Sequence, residues 1–98
     1  MIIGRLTKQP RERKRYVVDY SSFLSTGEIL SSVPLPTVTP AGGTIQVDTI
    51  IIDPVTFDSF SFDVEDGLDG EEYKIEFLAE TNLTRIKEDE IIMTVVEI

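Results

Sequence analysis

Apolar and polar residues alternate one by one along several stretches of this chain of 98 residues. The clearest runs are residues 57–64 and 73–80. Their apolar positions are Phe60, Phe62, Val64, Tyr73, Ile75, Phe77 and Ala79. Because successive side chains of a strand point to opposite faces, this alternation predicts two strands with one face on a core and the other in water.

Two irregular stretches qualify this pattern. Residues 29–37 have the composition of a strand but contain Pro34 and Pro36, which lack an amide hydrogen. The far end of this strand is therefore expected to lie at a sheet edge or to leave the sheet. In the most apolar part of the chain the alternation changes phase, which predicts a bulge near Asp48 and Thr49.

Together these signals predict an all-β protein. Short strands separated by turn residues, with no amphipathic helix, are typical of a β-sandwich of about six or seven antiparallel strands. The length fits one domain. No stretch is apolar and long enough to predict a transmembrane helix, and the first residues do not have the pattern of a signal peptide.

The turn before the 73–80 strand carries a structural motif. Leu68 and Gly70 lie shortly before Tyr73, which opens the predicted penultimate strand. A tyrosine in this place that bonds back to the preceding backbone is the tyrosine corner of immunoglobulin-like domains. The run 67–79 therefore resembles immunoglobulin-like and fibronectin type III-like domains, and the resemblance implies that these three residues form a structural corner.

Charge divides the chain into two parts. Residues 1–15 contain six basic residues and one acidic residue, a net charge of +5, whereas the whole chain has a net charge of −9. The basic residues are Arg5, Lys8, Arg11, Arg13, Lys14 and Arg15. We predict that residues 1–15 are a flexible arm that binds a partner, and that residues 16–98 form the sandwich domain. The alternative is a solvated tail with no role.

The acidic body limits the partners. It repels nucleic acid and anionic membranes, so we expect neither as a partner. The chain has no His and no Cys. It therefore has no Ser–His or Cys–His nucleophile system and no imidazole proton shuttle, and we predict that it is not an enzyme and has no cofactor. The absence of Cys also fits folding in a reducing cytoplasm.

A cluster of acidic residues precedes and follows the corner. Asp63, Asp66 and Asp69 are weak candidates for calcium ligands, because calcium prefers several carboxylate oxygens in a flexible loop. Their spacing is not that of an EF-hand. The alternative is a solvated acidic turn, and we expect no metal site there.

Most of the folded part resembles a group of small structural proteins of tailed bacteriophages. The resemblance rests on residues 18–29, on the glycine-rich turn 67–73, on Thr81 and Thr84-Arg85, and on the acidic, β-branched stretch 88–96. It implies an immunoglobulin-like virion component of the fibre–tail adaptor, neck or capsid decoration type. Such a protein is made in the bacterial cytoplasm and works in the virion in several copies.

The functional prediction follows from this resemblance. We expect a non-enzymatic structural protein that docks on other virion proteins, of tail, neck, fibre or capsid, through its basic arm and its sheet edges. One alternative is a carbohydrate- or calcium-binding accessory β-sandwich. Another is an intracellular regulatory or adhesion-like domain.

Overall fold

The structure, a computed structural model, describes residues 1–40 and 43–97. Within these residues it contains eight strands and no helix, so none of its described elements is a helix that crosses a membrane. The strands are β1 (Ile2–Lys8), β2 (Lys14–Asp19), β3 (Leu30–Ser32), β4 (Thr37–Thr39), β5 (Gln46–Ile52), β6 (Ser59–Glu65), β7 (Glu72–Thr81) and β8 (Ile86–Val95). The prediction of an all-β protein is confirmed, with one strand more than the upper end of the expected number.

The strands form two sheets. The first sheet has the order β1-β8-β7-β3, and β4 also pairs with β7. The second sheet has the order β2-β6-β5. All described pairs are antiparallel except β1 and β8, which run parallel. The expectation of an entirely antiparallel arrangement is therefore wrong at this one pair.

The core lies between the two sheets, on the faces that alternation predicts. Phe60 and Phe62 of β6 pack on Phe77 of β7, with ring centroids 5.0 and 4.8 Å apart. The seven apolar positions named for the two clearest runs are each at most 1% exposed, whereas Phe57 and Leu78, which are out of phase with them, are exposed. A fully buried aromatic ring contributes on the order of 2–3 kcal/mol through its apolar surface, so this cluster helps to hold the two sheets together.

The two irregular stretches also behave as predicted. The β5–β6 register shifts between Asp48 and Ile51, and Thr49 has a φ of 56°. This bulge accommodates the phase change in the sequence. The strand expected over 29–37 is divided by its prolines into the short strands β3 and β4, both of which pair with β7.

The first fifteen residues differ from the predicted flexible arm. Ile2–Lys8 is a strand at the edge of the first sheet, with a shift of register between Ile2 and Gly4, and Lys14 and Arg15 already belong to β2. Leu6 packs against the core and Lys8 is buried. Strand pairing uses backbone groups, so the two basic residues of β1, Arg5 and Lys8, do not prevent this segment from pairing with β8.

Candidate docking surfaces

A charged cluster covers one end of the outer face of the second sheet. The β2–β6 and β5–β6 registers place Arg15 and Asp48 on either side of Asp63. Arg15 Nε lies 2.8 Å from Asp63 Oδ1, and Arg13 Nη2 lies 3.1 Å from Asp63 Oδ2. Arg13 also contacts Asp48 at 2.7 Å and Glu65 at 2.8 Å. The cluster therefore joins all three strands of this sheet.

Asp63 is the centre of this cluster. Its side chain is 7% exposed, and a buried carboxylate is stable only when it is paired and hydrogen-bonded. The hydrogen bond from Arg15, together with the positive charges of Arg15 and Arg13, holds the pKa of Asp63 below its ordinary value. Asp63 is thus ionised at neutral pH, and its carboxylate is paired with the guanidinium groups of Arg13 and Arg15.

The remaining basic residues of the predicted arm have different environments. Lys8 Nζ donates hydrogen bonds to the backbone carbonyls of Gln9, Pro10 and Asp66, so Lys8 is not available to a partner. Lys14 Nζ lies 3.6 Å from a carboxylate of Glu12. Arg5 and Arg11 are exposed. The structure therefore brings Arg13 and Arg15 together but leaves the six residues without a common surface.

An apolar groove follows the charged cluster on the same face. The register places Val17 and Ile51 on either side of Ser61, and both apolar side chains are exposed. Because the serine side chain is short, the surface over β6 lies below the side chains of β2 and β5, and this leaves a shallow groove of about 240 Å³. Pro54 extends the lining of this groove at the far end. We call this region, Val17, Ile51, Pro54 and Ser61, the β6 groove.

The outer face of the first sheet is acidic. The five glutamates that project from β7 and β8 on this side are Glu72, Glu76, Glu80, Glu88 and Glu90. Glu76 and Glu90 are direct cross-strand partners, an arrangement that destabilises a sheet through repulsion. Lys74 Nζ lies 3.2 Å from Glu76, and this contact raises the pKa of Lys74. We call this surface the acidic face.

An ion pair between a buried carboxylate and a partly exposed arginine lies at one end of the molecule. The Glu28 side chain is fully buried, and Arg85 Nη2 lies 2.5 Å from its Oε1. Thr81 donates a hydrogen bond to Glu28 at 2.7 Å. The Arg85 guanidinium also lies 4.3 Å from the centre of the Phe23 ring. Hydrogen bonds from Arg85, from the Ser25 backbone and from Thr81 lower the pKa of Glu28 to about 2.

The predicted corner lies at the opposite end. Tyr73 is buried, and its hydroxyl lies 3.5 Å from the Leu68 backbone nitrogen. Gly70 has a φ of +84° and donates a backbone hydrogen bond to Val95 at 2.8 Å. A Cβ added at Gly43 would lie 2.8 Å from the Tyr73 ring, so the ring is tightly enclosed. Leu68 itself is exposed.

The three calcium candidates are not brought together. Asp63 is held by Arg13 and Arg15, and Asp69 accepts a hydrogen bond from the Glu97 backbone at 2.9 Å. Asp66 is exposed. In residues 1–40 and 43–97 no group of three or more acidic side chains is arranged to hold a metal ion.

The sequence matches one protein family over most of its length. The family is described as podophage GP4 fiber-tail adaptor protein gp77, and the match covers residues 8–94. The chain belongs to this family. The gp77 family assignment confirms the predicted resemblance to structural proteins of phage tails and gives this chain the role of a structural component at the fibre–tail connection.

Two further comparisons add no function to the gp77 assignment. The solution structure of Amebosin is similar over 93% of this chain and 87% of that one, with 13% sequence identity and a TM-score of 0.46. No curated protein matches the sequence.

Sequence reasoning missed the Glu28–Arg85 pair of this gp77 family member. The only local signal is the spacing of Ser25 and Glu28, in which the carboxylate accepts a hydrogen bond from the Ser25 backbone at 2.9 Å. This spacing is that of a capping box, which suggests a turn but not a distant arginine. Arg85 is far away in sequence, and only the folded chain brings it close.

Proposed function

We propose that this chain is a non-enzymatic adaptor that holds a tail fibre on a podophage tail by docking one outer face on each partner. The observation that carries the proposal is the family match over residues 8–94. Membership of this family places a structural protein in the virion. The docking surfaces, the absence of catalysis and the synthesis in the host cytoplasm are part of the proposal.

The topology supports an immunoglobulin-like classification within this proposal. The order β2-β6-β5 corresponds to the B, E and D strands of that fold, and β3/β4-β7-β8 corresponds to C, F and G. The first strand pairs with the last one instead of with β2. In such a domain the faces and edges, rather than an enclosed cavity, are the surfaces for binding.

The two outer faces differ in chemistry and lie on opposite sides of the molecule. The acidic face suits a basic surface of one partner, because each new ion pair relieves the repulsion between Glu76 and Glu90. The β6 groove suits an apolar side chain of the other partner. Since the faces are on different sheets, both partners are able to bind at once.

The basic residues contribute less to docking than the sequence suggests. Arg13 and Arg15 are engaged with Asp63, and Lys8 is buried, so Arg5 and Arg11 are the basic residues of the first fifteen that we propose for partner contact. A net charge of −9 supports protein partners over nucleic acid or anionic membranes. We also propose that each virion contains several copies of this chain.

The first prediction tests the two faces separately. The double variant Glu76→Lys, Glu90→Lys reverses the charge of the acidic face, and Ser61→Arg fills the β6 groove. We expect each variant to lose binding to one partner, tail or fibre, by roughly tenfold or more, about 1.4 kcal/mol, and to keep the other. Affinities are measured by surface plasmon resonance with purified tail and fibre proteins.

The control for this experiment is Glu71→Lys, an exposed position outside both faces. It should bind both partners like the unmodified chain. If the two face variants also keep both partners, the proposed faces are wrong. If the unmodified chain binds neither tail nor fibre, the adaptor function itself fails.

A further inference from the structure

A slot opens between the edges of the two sheets. It has a volume of about 410 Å³ and lies between β1 and β2. Leu6, Tyr16, Phe62 and Ile91 line its apolar interior. A Cβ added at Gly4 would have no atom within 4 Å, which shows that the space beneath β1 is open. This volume is within the range of protein pockets that hold a ligand or a partner's side chain.

The strand beside this slot has a free backbone edge. The Tyr20 amide donates to the Asp58 carbonyl at 2.8 Å, so Tyr20 directs its backbone groups to β6. Because direction alternates along a strand, Arg15, Val17 and Asp19 direct their backbone groups away from β6. Among the described residues no strand pairs with this side of β2. Unpaired edges of this kind accept an additional strand.

One polar atom inside the sandwich lacks a partner. The Tyr16 hydroxyl is buried and makes no hydrogen bond within the described residues, and Tyr16 lines the slot. A buried hydroxyl without a partner destabilises the protein, because it has lost its hydrogen bonds to water. An occupant of the slot that offers a hydrogen-bonding group would remove this destabilisation. The free edge and the hydroxyl are independent features that point to the same place.

The charges around the slot indicate the chemistry of the occupant. Asp89 is completely buried in its wall and is contacted by the Tyr20 hydroxyl at 2.7 Å and by Lys87 at 3.3 Å. Asp19, at the mouth, is exposed. Among the described residues, Lys87 is the only basic one that lines the slot, and it is already engaged with Asp89. Arg15, on the free edge, is already engaged with Asp63. The region is therefore complementary to a segment that carries basic side chains.

We propose that an extended segment of the fibre or tail partner adds as a strand to the free edge of β2. Its alternate apolar side chains enter the slot, and its other side chains, basic opposite Asp19, lie on the outer face. This proposal rests on the adaptor function and gives its docking mode. Main-chain hydrogen bonds provide the affinity, and the slot selects the apolar side chains.

The test uses a short synthetic peptide of alternating valine and lysine, capped at both ends. We expect it to bind and to shift the amide NMR signals of Arg15, Val17 and Asp19. A peptide in which glutamate replaces each lysine should bind at least about tenfold more weakly, since its carboxylates on the outer face meet Asp19 with like charge. Failure of the first peptide to bind, or equal binding of the two, would overturn the proposal.

Matched variants locate the binding. Val17→Pro removes a free edge donor without breaking the β2–β6 ladder and should weaken binding of the valine–lysine peptide about tenfold or more. Val17→Thr keeps the donor and should retain most of the binding that Val17→Pro loses. Gly4→Leu fills the slot and should weaken binding similarly. Tyr16→Phe removes the buried hydroxyl and should raise the thermal midpoint of the free protein while it weakens binding. Binding that survives both Val17→Pro and Gly4→Leu contradicts the proposal.

Two readouts separate this proposal from its alternatives. Sedimentation of the unmodified chain should show a monomer, and a dimer that Val17→Pro dissolves would assign the slot to a second copy instead. If Val17→Pro and Gly4→Leu still bind tail and fibre proteins normally, strand addition is wrong although the adaptor function stands. If the unmodified chain binds neither protein, the adaptor function fails whatever the peptide does.

Discussion

The three buried carboxylates among the described residues are each matched by a specific partner. Glu28 has Arg85, Asp63 has Arg13 and Arg15, and Asp89 has Tyr20 and Lys87. Apart from Lys87, which lies two residues before Asp89 on β8, the partners come from segments far from the acid in the sequence. Since a buried charge is costly unless it is paired, these contacts favour one arrangement of the strands over others.

The second prediction concerns Glu28. Its pKa in the folded protein, about 2, is below the ordinary value of 4.5. The ion pair therefore stabilises the protein fully above about pH 4.5, and this contribution is lost as the pH falls towards 2. We expect Glu28→Gln to unfold at a lower temperature at neutral pH and to lose less stability than the unmodified chain between these two pH values.

Thermal unfolding followed by circular dichroism across this pH range measures the effect. Glu71→Gln, a change in an exposed turn, is the control and should follow the unmodified chain. If Glu28→Gln loses as much stability on acidification as the unmodified chain, the Glu28–Arg85 pair does not cause the loss of stability between pH 4.5 and 2.

At the scale of elements, the strands differ in how firmly they are held. β7 lies inside the first sheet, and every second residue from Tyr73 to Thr81, five in all, is buried. β1 lies at the edge of that sheet, and of its residues Leu6 is half-buried and Lys8 is buried, with the slot beneath the strand. A strand with few buried contacts is expected to open locally before the rest of the fold.

The third prediction, which concerns the elements, is a difference in hydrogen exchange between β1 and β7. We expect the amides of Ile2–Lys8 to be protected at least about tenfold less than those of Glu72–Thr81, because β1 can open without disturbing the aromatic core. Native-state exchange measured by NMR gives both values. Gly4→Leu, which adds apolar contacts in the slot, should increase the protection of β1. Equal protection in the two strands would contradict this picture.

At the scale of the whole molecule, the first fifteen residues belong to the packed structure. β1 covers one edge of the first sheet, and Arg13 and Arg15 neutralise Asp63 in the second. The Gln9–Glu12 segment crosses from one sheet to the other and is held by the Glu12 carboxylate, which accepts a hydrogen bond from the Gln9 backbone at 2.7 Å. Both sheets therefore depend on this region.

The corresponding prediction tests the boundary between residues 15 and 16. A chain that begins at Tyr16 leaves Asp63 buried without a cation and exposes the edge of β8. We expect it to lose its cooperative thermal transition or to melt well below the full chain. The double variant Arg5→Gln, Arg11→Gln, which removes charge but no packed group, is the control. If the shortened chain melts at the same temperature as the full chain, the prediction that residues 1–15 are a flexible arm is supported instead.

The faces of the strands and the bulge were determined by the sequence itself, because alternation is a local property of an extended chain. Phe60, Phe62 and Phe77 are buried as their positions indicate, and the phase change at Asp48 becomes a shift in register. The all-β class follows from the same local signals. The family resemblance, which depends on motifs distributed along the chain, was also visible before the fold was known.

The tertiary structure alone decided the role of the first strand, the Glu28–Arg85 pair and the slot. β1 pairs with β8 through backbone groups that every residue except proline has, so the basic residues of this segment did not reveal that it would join a sheet. Arg85 reaches Glu28, and β1 faces β2 across the slot, only after distant segments have been brought together. These features depend on contacts across the fold, and no local pattern of residues encodes such contacts.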